Sequence, residues 1–495
     1  MGQDTSMLRR IQKYAAILAV VMIVTIAVLY AVGLRVVLYG GGSPHFEFVE
    51  SESTRAERIA RDREAHRAQA PSDAVLSAVP QASTPDAPAA VQPTAPAAAP
   101  VAPAAPAYWT DFRGPNRDGH YRERSILTTW PAGGLKPIWK QPVGGGYASF
   151  TIARGRAFTI EQRGPQEIVA AYDVATGREL WTSAWPALFH ERMGGDGPRA
   201  TPTWSDGRVY ALGGQGEFRS LDEATGKTFW RTNILDDNGA TNLTWGMAAS
   251  PLIVDDTVVV LPGGPRGHSV AAYDRRTGAR RWSALDDQQS YSSPMLVTLG
   301  GVRQVLVFSA SRLMGIRPDD GRVLWEYPWK TDYDVNAAQP IVIGTNRVLV
   351  SSGYGAGAAV VELTPSPDGF SVREVWRNNR MKNQFTSSLL HDGYIYGLDE
   401  SILACLDAAT GEVKWKGGRY GYGQVLLAGD HLIVLTEDGD LALVRATPAK
   451  REQISRFSAI DDKTWNHPAL ADGYLLVRNL QEMAAFDLRM KPGVR

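Results

Sequence analysis

Residues 171–181 read Ala-Tyr-Asp-Val-Ala-Thr-Gly-Arg-Glu-Leu-Trp. The phrase returns as Ser-Leu-Asp-Glu-Ala-Thr-Gly-Lys-Thr-Phe-Trp at 220–230, Ala-Tyr-Asp-Arg-Arg-Thr-Gly-Ala-Arg-Arg-Trp at 272–282 and Cys-Leu-Asp-Ala-Ala-Thr-Gly-Glu-Val-Lys-Trp at 405–415. Each copy spells a hairpin. Alternating apolar residues end a strand at the aspartate, whose carboxylate accepts hydrogen bonds from the turn backbone; Thr-Gly makes the turn, glycine taking the positive φ; a second strand then runs out to the tryptophan. Weaker copies lie at Gly315–Trp325, where Arg317 replaces the aspartate, at Val361–Trp376, stretched by the insertion 365–369, at Leu443–Phe457 and, truncated, at Ala485–Leu488. Two further strand signals precede each phrase, as in Thr201-Pro-Thr-Trp204, Asp206-Gly207 and Arg208–Leu212. Four short strands in a unit of about 40 to 50 residues are the pattern of a propeller blade, whose radially stacked antiparallel sheets leave no long free edge.

Closure gives an independent check. The last copy stops at Asp487-Leu488 without its tryptophan strand, while an orphan tryptophan strand, Leu135-Lys-Pro-Ile-Trp139-Lys-Gln141, precedes the first complete copy. The expectation is an all-β, eight-bladed propeller of four-stranded antiparallel blades over 108–495, tied shut by residues 135–141 as outer strand of the last blade. Trp139, Trp181, Trp230, Trp282, Trp325, Trp376 and Trp415 would wedge between blades, each burying on the order of 200 Å². Their expected role is packing.

Ahead of the repeats lie four segments. Residues 1–13 form a short N-terminus with Arg9, Arg10 and Lys13, and 14–34 are uncharged and mostly aliphatic. As a helix rising about 1.5 Å per residue, that run spans a bilayer core, and it exceeds the roughly 7 to 15 apolar residues of a cleaved signal peptide. The cations before it, and Glu47, Glu50 and Glu52 after it, place the N-terminus in the cytoplasm and the remainder outside. Residues 35–69 are a charged juxtamembrane segment, of which 50–69 reads as a solvated helix with i, i+4 pairs. Residues 70–107 collapse to alanine and proline, a semi-rigid spacer that would hold the folded part off the membrane.

Composition narrows the function. With 44% hydrophobic and 21% charged residues a sizeable core forms, and 52 cationic against 52 anionic side chains leave no net field to draw nucleic acid. A single cysteine, Cys405, excludes an intramolecular disulfide and any thiolate-rich metal site, and the eight histidines lie far apart in the chain. Gly226-Lys-Thr mimics the end of a P-loop but falls on a hairpin turn, and 267–271 lacks the strand-to-helix context of a nucleophile elbow.

An AxDxxTGxxxW phrase repeated around a closed ring resembles the repeat of the pyrroloquinoline quinone (PQQ) propellers, over about 135–490. The resemblance implies one of two branches: quinoprotein dehydrogenases, which oxidise alcohols or sugars with PQQ and calcium, or cofactor-free propellers such as BamB, the scaffold of outer-membrane barrel assembly. Trp109–Gly119 is similar to the opening of many bacterial members and is read as a turn-rich plug or cap across one face. On the enzyme branch, Cys405 alone cannot supply the adjacent-cysteine disulfide of many members, and the most suggestive acid pair for a calcium ion is Asp332 and Asp334, whose plainer reading is a solvated loop.

Propellers gather functional groups on the loops that enter the innermost strands. Here these contribute Arg199, Trp245, Tyr291, Asn336, Gln384, Tyr422 and Asn466, the candidate binding surface of a central funnel. The expectation is a single-pass protein of a bacterial inner membrane with a periplasmic propeller, a binding or scaffolding module for envelope proteins that needs no cofactor, no metal and no nucleic acid. The alternative is a PQQ- and calcium-dependent dehydrogenase.

Overall fold

The turn chemistry of the repeat is realised atom by atom. Asp173 Oδ1 accepts from the Thr176 amide at 2.9 Å and its hydroxyl at 2.7 Å, and Asp222 and Asp274 hold Thr225 and Thr277 in the same way. Each glycine that follows has a positive φ, +74° at Gly177, +72° at Gly226 and +76° at Gly278. The tryptophan of the orphan strand and those of three clear copies then reach out of their own blades. The Trp139 indole N–H donates to Val174 O of the next blade at 2.9 Å, Trp181 to Glu223 O at 2.9 Å, Trp230 to Arg275 O at 3.0 Å and Trp415 to Thr447 O at 2.8 Å. The turn glycine lies under the ring so closely that a Cβ on Gly177, Gly226 or Gly278 would fall inside 3.0 Å of the indole. Thr-Gly therefore serves two ends, the turn and the seat for a neighbour's tryptophan. Where Arg317 replaces the aspartate, the seat is imperfect: the buried Trp282 N–H facing that blade finds no partner.

This computed structural model describes residues 4–69, 108–191, 193–367 and 369–490; the proposed spacer, 70–107, lies outside them. In chain order the leading elements are helix α1 (Asp4–Ala31), strands β1 (Leu34–Leu38) and β2 (Pro44–Phe48), helix α2 (Glu52–Gln69), and strands β3 (Tyr108–Trp109), β4 (His120–Tyr121) and β5 (Trp139–Pro142). Eight antiparallel sheets follow around a ring, blade 1 opening at Thr151 and blade 8 at Ala469. Strands such as Gln424–Ala428 and His431–Leu435 are buried at every position, because a blade has a neighbour on both faces. The ring closes as the orphan strand requires. β5 pairs antiparallel with Glu482–Asp487, placing Trp139 opposite Ala485, and Ile138 N donates to Ala485 O at 2.7 Å just before the ladder. The insertion at 365–369 lengthens one hairpin of blade 5, Gly357–Ser366 and Gly369–Asn378, until its tip lies against Leu324 of blade 4.

Residues 108–138 run across one face of the ring. β3 adds an inner strand to blade 1, and β4 adds one in parallel to blade 7 through Leu427 and Ala428. Between them the chain dips into the axis, so the segment read as a plug or cap is a plug. The leading segment departs from expectation in two respects. The apolar helix ends at Ala31 rather than 34, since Gly33 turns with φ +96° and Leu34 opens β1. Helix α2 is not solvated all round: Arg55, Ile59 and Arg63, spaced by four, are 5%, 1% and 3% exposed in the cleft between blades 8 and 1. Arg63 donates there to Pro142 O at 2.8 Å and pairs with Glu179 at 3.4 Å, close to Glu161, whose burial is outweighed by Arg163, Arg478 and Arg63 so that its carboxyl is held down to about 2.

Candidate functional site

The axis is built from the residues that open each blade. Backbone amides donate to hydroxyls of the following blade: Ser149 N to Thr201 Oγ1 at 2.9 Å, Thr201 N to Ser250 Oγ at 3.1 Å, Ser250 N to Ser293 Oγ at 2.9 Å and Gln339 N to Ser387 Oγ at 3.0 Å. These hydroxyls tie the inner strands together. The signal was present in the sequence as the hydroxyl residue recurring before the proline of Thr201-Pro202, Ser250-Pro251 and Ser293-Pro294. Into this ring the plug sends two arginines, Arg113 and Arg117, 1% and 2% exposed. Arg117 donates to Ser250 O at 3.1 Å, to Pro294 O at 2.8 Å and to Pro251 O, and it pairs with Asp111 at 2.9 Å. Arg113 donates to Ser388 O at 2.9 Å, across the channel on blade 6, and burial pulls its guanidinium down to about 10.

On the opposite side the loops that enter the inner strands carry a set of aromatic rings around the axis, here called the mouth. Tyr147 stacks on Trp465 with centroids 5.3 Å apart, Trp465 meets Phe385 at 4.5 Å, and Phe385 meets Tyr422 at 5.9 Å. Around the other half, Trp245 and Tyr291 lie 5.7 Å apart and Tyr333 and Tyr354 6.1 Å apart. Arg199 sits over Phe189 at 4.5 Å and over Tyr147 at 5.6 Å, which joins the two arcs. Burial pushes the Tyr291 and Tyr422 hydroxyls up to about 12, so both stay protonated donors near neutral pH.

The arc over blades 7 and 8 is occupied by the protein itself. The turn between β1 and β2 enters it: Gly40 N donates to Glu437 Oε1 at 2.6 Å, and the same carboxylate accepts from the Trp465 indole at 2.8 Å and the Tyr422 amide at 3.1 Å. Gly40 lies flat on the Tyr422 ring, where any Cβ would overlap it. Lys463 Nζ donates to Leu38 O at 3.3 Å and Gly194 O at 3.1 Å, 4.4 Å from the Trp465 centroid. Burial pulls this ammonium down to about 8 against the pull of Glu47, Glu437 and Glu191.

The seven residues expected at the funnel divide by direction. Arg199, Trp245, Tyr291 and Tyr422 belong to the mouth, and Gln384 reaches it through its hydrogen bond to Tyr354. Asn336 and Asn466 turn inward: Asn336 donates to Ser309 O at 2.9 Å and accepts from Ser352 Oγ at 2.7 Å, while Asn466 donates to Gly146 O and Ala148 O at 3.0 and 2.9 Å. They are ties between inner strands, with no side-chain exposure to offer a ligand. The mouth residues missed from sequence, Phe385, Trp465 and Tyr147, stand beside or across from those named. Trp465 and Asn466 are chain neighbours that point opposite ways, so there a one-residue offset exchanges mouth for floor.

The two buried plug arginines fill the channel among the inner strands, and among the described residues no three His, Cys, Asp or Glu side chains converge to hold a cation. Asp332 and Asp334 are exposed on a turn with Tyr333 at φ +66°, as the solvated reading of that loop holds.

The family model described as outer membrane protein assembly factor BamB, PQQ_2, matches residues 165–417. The chain is 22% identical over 311 residues to the outer membrane protein assembly factor BamB of Bordetella pertussis, a match covering 60% of this chain and 72% of that protein. Among solved structures, BamB from Moraxella catarrhalis superposes with a TM-score of 0.51 at 14% identity, over 73% of this chain and 99% of that one. Quinohemoprotein alcohol dehydrogenase from Comamonas testosteroni superposes with a TM-score of 0.57 at 14% identity, over 78% and 82%. At such identities the two structural likenesses are of fold alone.

Proposed function

The chain belongs to the PQQ_2 family of outer membrane protein assembly factor BamB, and from that premise we propose that it is a membrane-tethered scaffold of the cell envelope whose funnel mouth binds protein segments. One observation carries the reading. The mouth already holds a turn of polypeptide, with a backbone amide on Glu437 and a glycine against the Tyr422 ring, while among the described residues no such guest lies on the arc of Trp245, Tyr291, Tyr333 and Tyr354. Aromatic rings with protonated hydroxyls suit extended peptide, giving area at low entropic cost and hydrogen bonds to its backbone. The apolar run Arg10–Ala31, long enough to cross a bilayer, is the tether, with the N-terminus in the cytoplasm of a bacterial inner membrane and the propeller in the periplasm. The scaffold needs neither PQQ nor metal.

Photo-crosslinking residues placed at Trp245 and Tyr333 in the full chain, in intact cells, are the test, with Phe229 on the outer wall as control. Expected are adducts with envelope proteins from the two mouth positions and none from the control. No adduct from either mouth position overturns the reading, as does reduction of an acceptor dye with alcohols or sugars once PQQ and calcium are added to the purified protein.

A further inference from the structure

The hairpin behind the apolar helix alternates, with Val37 the one apolar residue on its polar face. On one face the cross-strand pairs are Leu34 with Phe48, Val36 with Phe46 and Leu38 with Pro44; on the other they are Arg35 with Glu47 and Val37 with His45. The polar face serves the propeller. Glu47 is near enough to Lys463 and Asp462 to act on both charges, and the strand ends are fastened through Leu38 O and Gly40 N. The apolar face is bare, with Val36, Phe46 and Phe48 56%, 75% and 69% exposed. Two phenylalanines and a valine on a ribbon with two unpaired edges are what a surface in water avoids.

What lies against this face follows from what it is attached to. The apolar run is 22 residues, about 33 Å as helix, which matches a bilayer core of about 30 Å. Only Val32 and Gly33 separate its end from β1. The hairpin therefore starts at headgroup depth. At that junction the Arg35 guanidinium lies 3.6 Å from the Tyr30 ring centroid, the pairing of cation and aromatic that gathers at membrane interfaces.

We propose that the Leu34, Val36, Phe46 and Phe48 face lies in the interfacial layer of the extracytoplasmic leaflet as a second, monotopic anchor, so that the propeller presents its funnel mouth to the membrane surface. This rests on the apolar helix being the tether. Burying the three exposed side chains adds membrane affinity beyond that of the helix, and it fixes orientation where a single helix would leave the propeller free to turn.

The test uses the full chain in nanodiscs of phosphatidylethanolamine and phosphatidylglycerol, with Phe46→Cys, Val36→Cys, Leu18→Cys and Asp256→Cys variants carrying a polarity-sensitive fluorophore. Cys405 is buried in blade 6 and its labelling is the background. Expected is several-fold stronger quenching of the Phe46 and Val36 probes by lipids with a headgroup-proximal nitroxide than of the Asp256 probe on an exposed turn, and the reverse order for aqueous iodide. A lipid-quenched Leu18 probe beside Phe46 and Val36 probes open to iodide overturns the second anchor and leaves the tether standing; an unquenched Leu18 probe overturns both. Phe46 and Val36 probes shielded from iodide but not lipid-quenched mean a protein occupant, a second copy or a partner strand, and overturn the proposal too.

Discussion

Gly207 and Gly226 hold almost the same backbone conformation, φ +77° and +72°, yet a Cβ on the first would meet nothing within 4 Å and on the second would strike the Trp181 ring. The pair separates the two demands that Thr-Gly satisfies. Alanine at either position bears the left-handed backbone cost of about 1 kcal/mol. At Gly226 it also displaces an indole, an overpacking cost of about 1–3 kcal/mol. We expect Gly207→Ala to lower the free energy of unfolding by about 1 kcal/mol and Gly226→Ala by about 3 kcal/mol, read from urea midpoints at unchanged slope. Equal losses would mean that tryptophan docking contributes nothing at that seat. The turn itself was legible in the sequence, because Asp, Thr and Gly act within six residues of chain; the identity of the ring above the glycine was not, since that depends on which blade comes next in space.

Among the elements, the axial plug joins the most of the molecule through the fewest atoms. Arg117 alone bonds backbone carbonyls of blades 3 and 4 and touches Thr203 of blade 2 at 3.3 Å. Removing one partner of a buried ion pair costs about 3–5 kcal/mol, whereas removing both costs less. Arg117→Met should therefore lower the melting temperature by several degrees, and adding Asp111→Asn should recover part of the loss; additive losses would show that Asp111 does not balance this charge. That the plug would cross a face was readable from its run of glycine, proline and asparagine. That it reaches the axis was not, because its anchors are backbone carbonyls, which no residue type announces. Helix α2 was misjudged for a related reason: the buried stripe of Arg55, Ile59 and Arg63 has helical spacing but carries two cations, and although Arg55 pairs with Glu52 within the helix, Arg63 reaches Pro142 O and Glu179 only on the assembled ring.

For the whole molecule, the shared last blade decides how the ring opens. Trp139 is both an outer-strand residue of blade 8 and the wedge against Val174 and Gly177 of blade 1. Trp139→Ala removes both contacts for about 3–5 kcal/mol, and amide exchange should then quicken first in 482–487 and 151–153, on the two sides of the seam. Uniform acceleration around the ring would show that the seam is no weaker than any other junction. Blade number and seam were legible because they follow from periodicity and from a strand missing at one end and spare at the other. The mouth was legible only to within a residue, and its hairpin guest not at all, since the guest comes from a segment some 400 residues away in the chain. That guest bears on the stretch 70–107. The elements on either side of this stretch, α2 in the cleft of blades 8 and 1 and β3 on blade 1, are both fastened to the ring. Doubling the number of residues between two such anchors changes closure entropy by only about 0.6 kcal/mol, so a chain lengthened between them should melt within a few degrees of the parent.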